Sequence, residues 1–123
     1  MEIIRIIQAK NVFSPHFMAK LKPSLSYKIY KLCRFAEQEE QFYNEKRNAI
    51  IEEFAERDEN GFIINNDGMI KIIPDNIDDA QNAMNELNAI NIDVPRIKFT
   101  LDELSEIKLS VHDIAALDGF IEE

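Results

Sequence analysis

Apolar residues recur at helical spacing over the longest uninterrupted segment of the chain, from residue 24 to about residue 57. The segment contains no Gly or Pro and is rich in Glu, Gln, Lys, Arg and Ala. Residues three and four apart share one face of a helix, so the pattern predicts a single helix of about 30 residues, about 45 Å long. Its main apolar stripe consists of Leu25, Ile29, Leu32, Ala36, Tyr43, Ile50 and Phe54.

A second apolar stripe, formed by Phe35, Phe42 and Ala49, runs beside the first. Two stripes are typical of a helix that packs on more than one side, within its own domain and against a partner. Phe35 and Phe42 are large enough to anchor an interface, so both are predicted partner-binding residues. Homo-oligomerisation through this stripe is one form of that interface. The alternative is that the rest of the domain covers both rings.

Turn-forming residues follow the long helix and predict a β-hairpin. An acid-rich turn at 58–61 ends the helix, and residues 62–64 and 69–73 are predicted strands around Asp67-Gly68. Asp-Gly supplies the positive φ that two-residue hairpin turns need. Pro74 then begins a helix that extends to about residue 90. This helix is predicted to pack antiparallel on the long helix, with the hairpin at the tip.

The two ends of the chain predict a small antiparallel sheet. Residues 2–9 are mostly β-branched and lack a helix cap, which indicates a strand. A short helix is expected at 15–22, because Ser14 precedes a proline. Residues 92–99 are expected to be extended, with Pro95 at an edge or bulge. Residues 107–109 favour another short strand.

Two capping boxes predict helices near the C-terminus. Thr100 followed by Glu103 fits a single helical turn, and Ser110 followed by Asp113 fits a final helix to about Ile121. The whole chain, residues 1–123, is predicted to be one α+β domain. It consists of a long antiparallel helical hairpin with a β-hairpin at its tip, a small antiparallel sheet and a C-terminal helix.

Charge is unevenly distributed. The net charge is −9, but residues 1–36 contain seven Lys and Arg residues against one acid, whereas residues 37–123 contain seven against 22 acids. The large acidic part repels a phosphate backbone, so we expect no direct nucleic-acid partner. The basic part either neutralises acids of its own fold or contacts an acidic partner.

The acidic C-terminal segment contains the second group of predicted partner-binding residues. From residue 102 to residue 123 there are seven acids and one base, Lys108. These acids form either a contact for a basic protein partner or a surface that only favours solubility. The candidates are Asp102, Glu103, Glu106, Asp113 and Asp118.

Residues suited to catalysis are few. Cys33 is the only cysteine and lies inside the long helix among apolar residues, which indicates a buried core thiol. His16 and His112 lack a second ligand at metal-binding spacing. There is no glycine-rich phosphate loop. We therefore expect no enzymatic activity, no cofactor and no metal site.

Compartment and membrane signals are equally sparse. A single cysteine excludes an intrachain disulfide and fits a reducing compartment. The N-terminal segment has an acid where a signal peptide is basic, and no apolar run approaches the length of a membrane span. A cytoplasmic location without a membrane partner is expected.

Four segments follow one another in a recognisable order: a helix start at 23–29, an acid-rich turn at 58–61, a helix start at 74–77 and the closing segment at 107–123. Their order resembles a family of small uncharacterised bacteriophage and prophage proteins, a domain of unknown function. The resemblance covers about residues 20–123 and implies a phage or prophage context without a known activity. It implies no functional residues.

The leading functional hypothesis is a non-catalytic, protein-binding phage accessory or assembly protein that binds a host or phage protein. The alternative is an acidic mimic of nucleic acid that inhibits a host protein. An enzyme of unknown class comes third. A mimic requires acids arrayed on one face, a protein-binding protein requires an exposed apolar interface, and an enzyme requires a cleft with a perturbed titratable group.

Overall fold

The computed structural model describes residues 1–122 and shows an α+β fold. A long helix, a two-stranded antiparallel sheet and further helices make up the chain, which confirms the predicted fold class. The helices and strands are α1 (Ile3–Phe13), α2 (Pro23–Phe54), β1 (Asn65–Asn66), β2 (Met69–Ile70), α3 (Ile77–Asn88), α4 (Leu101–Leu104) and α5 (Val111–Ala116), with 3₁₀ turns at Ser14–His16 and Pro74–Asn76.

The predicted helical hairpin is confirmed. α2 is 32 residues long and has Pro23 in its first turn, where the missing N–H costs nothing. α3 runs back along the second half of α2. At one end of the pair, the Tyr43 hydroxyl donates to Asn88 Oδ1 at 2.7 Å. At the other end, the Ile73 N–H donates to the Phe54 carbonyl at 3.0 Å.

The tip hairpin is also confirmed, with shorter strands than predicted. β1 pairs with β2 in antiparallel register, Asn66 opposite Met69. Asp67 and Gly68 have φ values of 53° and 84°, as a type I′ turn requires. Residues 62–64 do not form a regular strand. They face the segment that follows α2, with an isolated bridge between Arg57 and Ile63.

The predicted strand at 2–9 is wrong, because residues 3–9 lie within α1 and only Glu2 is extended. Its β-branched residues favour extended backbone locally, but their spacing also fits a helix face. Ile3, Ile6 and Ile7 all point into the core, where they are buried. Packing of this face against α2 outweighs the small helix penalty of β-branched side chains.

The second predicted sheet does not form within residues 1–122. Residues 92–98 belong to no strand, although Ile92 exchanges backbone hydrogen bonds with Met1, and no strand occurs at 107–109. Two isolated bridges hold the ends of this segment, Glu2 with Asn91 and Phe99 with Ile121. Because α1 is helical, residues 92–98 have no neighbouring strand with which to form a ladder.

The predicted helix at 15–22 is reduced to the 3₁₀ turn at Ser14–His16. The Ser14 hydroxyl donates to the carbonyl of Lys10 and so belongs to the end of α1 rather than to the start of a new helix. Both C-terminal capping boxes are present as predicted. The final helix is shorter than expected, since Gly119 adopts a φ of 91° and turns the chain.

The main core lies at the N-terminal end of α2. Phe13 and Phe99 pack there with ring centroids 5.1 Å apart, and Phe120 is also fully buried. The second half of α2 and α3 bury fewer side chains, chiefly Ala80 and Leu87. The helical hairpin therefore projects from a core built by α1, the first half of α2 and residues 97–120.

Candidate functional site

Glu103, one of the predicted partner-binding acids, connects α4 to α2 in the structure. Its Oε1 accepts from Lys28 Nζ at 2.8 Å and from the Thr100 N–H at 3.0 Å. These contacts, with the Lys28 hydrogen bond as the largest cause, hold the pKa of Glu103 below its ordinary value. The carboxylate is therefore used within the chain itself.

Asp113 and Glu106, two of the other acidic candidates, also contact the chain's own atoms. Asp113 Oδ2 accepts from the Ser110 N–H at 3.0 Å. Glu106 Oε2 accepts from the Lys22 N–H at 3.5 Å. The first hydrogen bond belongs to the capping box of α5, and the second joins the segment after α4 to the residue before α2.

Asp118 and Asp102 complete the acidic set. Asp118 forms an ion pair with Arg5 at 3.6 Å, and Arg5 also donates to the Asp118 carbonyl at 2.7 Å. Asp102 lies exposed in the first turn of α4, where its negative charge interacts favourably with the positive end of the helix dipole.

Ion pairs join the basic and acidic parts of the sequence. Within residues 1–122, three of five ion pairs connect a base from residues 1–36 to an acid beyond them. The basic part thus neutralises some acids of its own fold, as one of the two alternatives predicts. The three pairs are Arg5–Asp118, Lys10–Glu40 and Lys28–Glu103.

The structure separates Phe35 and Phe42, which the sequence placed on one stripe. Phe35 is partly buried against the main core. Phe42 is 39% exposed, and Lys46 Nζ lies 5.7 Å from its ring centroid. Together with Ala49, Leu87 and other residues, Phe42 lines an open groove of 420 Å³ between α2 and α3.

Sequence reasoning missed a group of four exposed large apolar side chains. We call it the aromatic–basic face. Its apolar members are between 52% and 94% exposed. Four cations from the same stretch of chain accompany them, and none of the ion pairs within residues 1–122 involves these cations. The face consists of Phe17, Met18, Tyr27 and Tyr30, with Lys20, Lys22, Lys31 and Arg34.

Helical spacing orders the α2 part of the aromatic–basic face. The rings of Tyr27 and Tyr30 are stacked with centroids 6.3 Å apart. Lys31 Nζ lies 5.5 Å from the Tyr27 ring centroid, and Arg34 Nη1 donates to the Tyr30 hydroxyl at 3.2 Å. Residues at i, i+3, i+4 and i+7 share one side of a helix. This spacing, outside both apolar stripes, was the available sequence signal.

A pocket of 260 Å³ opens within the aromatic–basic face, between the 3₁₀ turn and the start of α2. Its wall is mostly carbon, and the lining side chains with polar atoms are His16, Ser26 and Tyr30. A pocket of this kind suits a large apolar side chain rather than a strongly polar group. The lining residues are His16, Phe17, Ala19, Leu21, Ser26, Ile29 and Tyr30.

Cys33 is a buried thiol, as predicted. Burial raises its pKa to about 11; the Glu37 carboxylate acts in the same direction, and Lys10 opposes it. The thiol is therefore protonated at neutral pH and is a poor nucleophile. Within residues 1–122, His, Cys, Asp and Glu side chains do not assemble into a group of three or more that could hold a metal ion.

The helices of residues 1–122 include none with the length and apolar character needed to cross a membrane. Comparison of the chain with protein-family models, with curated proteins and with solved structures finds no match. The geometry of the aromatic–basic face is therefore the main guide to function.

Proposed function

We propose that this chain is a non-catalytic protein-binding protein and that the aromatic–basic face is its binding surface. The observation that supports this is the exposure of Phe17, Met18, Tyr27 and Tyr30, which are all more than half accessible to solvent. Exposed apolar patches rimmed by polar groups mark interaction sites. Tyr and Arg, both present in this face, are enriched among the residues that dominate binding energy.

The chemistry of the face favours an acidic protein over nucleic acid. Lys20, Lys22, Lys31 and Arg34 supply positive charge, which attracts carboxylates as well as phosphates. The adjoining pocket is lined mainly by carbon and suits an apolar side chain of a protein. The net charge of −9 opposes the approach of a long phosphate backbone. The proposed partner is therefore a protein whose contact segment combines acids with a large apolar side chain.

The absence of catalysis is also a proposal, and the thiol and histidines support it. The Cys33 thiol is buried and has a raised pKa. His16 and His112 come from distant parts of the chain and line different cavities. Covalent catalysis usually requires a nucleophile and a base within hydrogen-bond reach of each other. Cys33, His16 and His112 do not form such a pair.

A role as a phage accessory or assembly protein in the cytoplasm stays a proposal that rests on the sequence resemblance. The mimicry alternative receives less support, because Glu103, Glu106, Asp113 and Asp118 contact atoms of the chain itself. The genes that neighbour the coding sequence test the phage context: a surrounding run of structural or replication genes of a phage is the expected result.

Affinity capture tests the proposed function. Tagged protein is incubated with a nuclease-treated lysate of the organism that encodes it, and the retained proteins are quantified. For a protein that the wild type captures specifically, the amount retained by the variant Tyr27→Ser/Tyr30→Ser is expected to fall at least tenfold. Val111→Ser removes a more exposed apolar side chain, 89% accessible, from another helix, and this variant is expected to retain the captured protein. Equal capture by all three proteins would contradict the proposal.

A further inference from the structure

We infer that the partner of the aromatic–basic face is a second copy of this chain, which inserts the acidic tip of its helical hairpin. The tip is defined as residues 52–75. The inference rests on the proposed function, because it names the partner of the same face. Two observations lead to it. The tip presents an exposed apolar anchor, and its acidic charge is complementary to the basic charge of the face at the other end of α2.

The tip presents its own large apolar side chains. Phe62 is 69% exposed and Met69 is 75% exposed. The backbone that presents Phe62 is ordered by Asp58, whose Oδ1 accepts from the Phe62 N–H at 3.0 Å and whose own N–H donates to the Phe62 carbonyl at 2.8 Å. An anchor that is already held in place loses little conformational entropy on binding.

The charges of the two regions are opposite. Residues 52–75 contain seven acids and two bases, whereas residues 14–36 contain five bases and no acid. Both bases of the tip are already paired within it, Arg57 with Glu52 and Lys71 with Glu56. The remaining acids of the tip are therefore available to the lysines and arginine that surround Tyr27 and Tyr30. Complementary charge around apolar anchors fixes partner orientation.

The geometry requires two molecules. Along α2, Tyr30 of the face and Phe54 of the tip are about 24 residues apart, which separates the two surfaces by about 36 Å at 1.5 Å per residue. The tip therefore cannot reach the aromatic–basic face of its own chain. Contact between two unlike surfaces is heterologous, so a pair of copies joined by one such contact still has one unused tip and one unused face. Association then proceeds to rings or open chains, and its extent grows with protein concentration.

Sedimentation velocity and light scattering of the purified full chain test this inference. At low ionic strength the wild-type protein is expected to show a weight-average mass that rises with concentration above the 14.3 kDa monomer. Phe62→Ser and Tyr27→Ser/Tyr30→Ser are each expected to remain monomeric. An equimolar mixture of these two variants should form a dimer of twice the monomer mass and nothing larger, because the mixture retains one tip and one face. Val111→Ser should associate like the wild type.

Each other outcome counts against the inference. A wild-type protein that stays monomeric at all concentrations overturns it. If the Tyr27→Ser/Tyr30→Ser variant nevertheless loses a protein captured from lysate, the proposed function survives with a different partner. Association that persists in Phe62→Ser, or two variants that fail to pair when mixed, overturns the tip-to-face arrangement. If the wild-type protein does not associate and its capture of other proteins does not depend on Tyr27 and Tyr30, the inference and the proposed function are both overturned.

Discussion

Lys28 on α2 and Glu103 on α4 form an ion pair of 2.8 Å that connects the basic part of the sequence to the acidic C-terminal segment. Glu103 also closes the capping box of α4 through the Thr100 N–H. A residue that the sequence offered as a contact for a partner is thus a structural link. The same holds for Asp113, which caps α5. Charged residues near helix starts are often explained by the helix itself.

Replacement of Glu103 by Gln should lower the free energy of unfolding by about 1 kcal/mol, through the loss of the charge on a partly buried pair and a weaker cap. Urea unfolding at neutral pH measures the difference. Asp102→Asn, on the same short helix, is the matched control, with an expected change below about 0.5 kcal/mol. A larger loss in the control than in Glu103→Gln would contradict the structural role of the ion pair.

The contribution of Glu103 should depend on pH. Its pKa is lowered in the folded protein by Lys28 and Thr100. A lowered pKa means that the stabilisation is present above the unfolded value, about 4.3, and is lost as the pH falls through the folded value. The difference in unfolding free energy between wild type and Glu103→Gln should therefore shrink between pH 7 and pH 3. A difference that stays constant, or grows, would show that the charge of Glu103 is not the cause.

Phe35 and Phe42 should respond differently to substitution by Ser. Phe35 packs against the main core, so Phe35→Ser is expected to cost about 2 to 3 kcal/mol in urea unfolding. Phe42 is 39% exposed, so Phe42→Ser is expected to lower the free energy of unfolding by only about 1 kcal/mol. The two variants serve as controls for each other. Equal losses would show that both rings belong to one core, and a greater loss for Phe42 would contradict the structure.

Gly119 and Gly61 allow a matched test of the C-terminal turn. Both have positive φ, 91° and 82°, so a Cβ at either position costs about 1 kcal/mol. A Cβ at Gly119 would also lie 3.2 Å from Met1 Cε, whereas the space around Gly61 is open. Gly119→Ala is therefore expected to lower the thermal midpoint more than Gly61→Ala. The reverse order would argue against this packing of residue 119 on the N-terminus.

Cys33 should react slowly with a thiol-directed disulfide reagent in the native protein. The thiol is buried and its pKa is raised to about 11, so little thiolate exists at neutral pH. Labelling is expected to accelerate at least a hundredfold when urea unfolds the chain. Rapid labelling under native conditions would show an accessible thiolate and reopen a catalytic role.

Local signals in the sequence predicted several elements well. The absence of Gly and Pro with a 3/4 apolar spacing defined α2, Asp67-Gly68 defined the tip turn, and both capping boxes marked their helices. Each of these signals depends on residues that are neighbours along the chain. They therefore work without knowledge of tertiary packing.

Elements that depend on distant contacts were not predicted. Residues 3–9 are helical because Ile3, Ile6 and Ile7 pack on α2, and β-branched composition alone favoured a strand. The expected second sheet was lost with that strand. The aromatic–basic face was missed because Tyr27 and Tyr30 lie outside the apolar stripes. Phe17 and Tyr30 line one pocket only through tertiary packing of the 3₁₀ turn on the start of α2.

Site-specific photo-crosslinking tests the central claim, that the aromatic–basic face binds protein, most directly. A photoreactive phenylalanine analogue is placed at Tyr30 or, as the control, at Val111, and cells of the encoding organism are irradiated. Discrete protein adducts that resist nuclease are predicted at Tyr30 and not at Val111. Absence of adducts at Tyr30, equal adducts at both positions, or adducts that nuclease removes would contradict it.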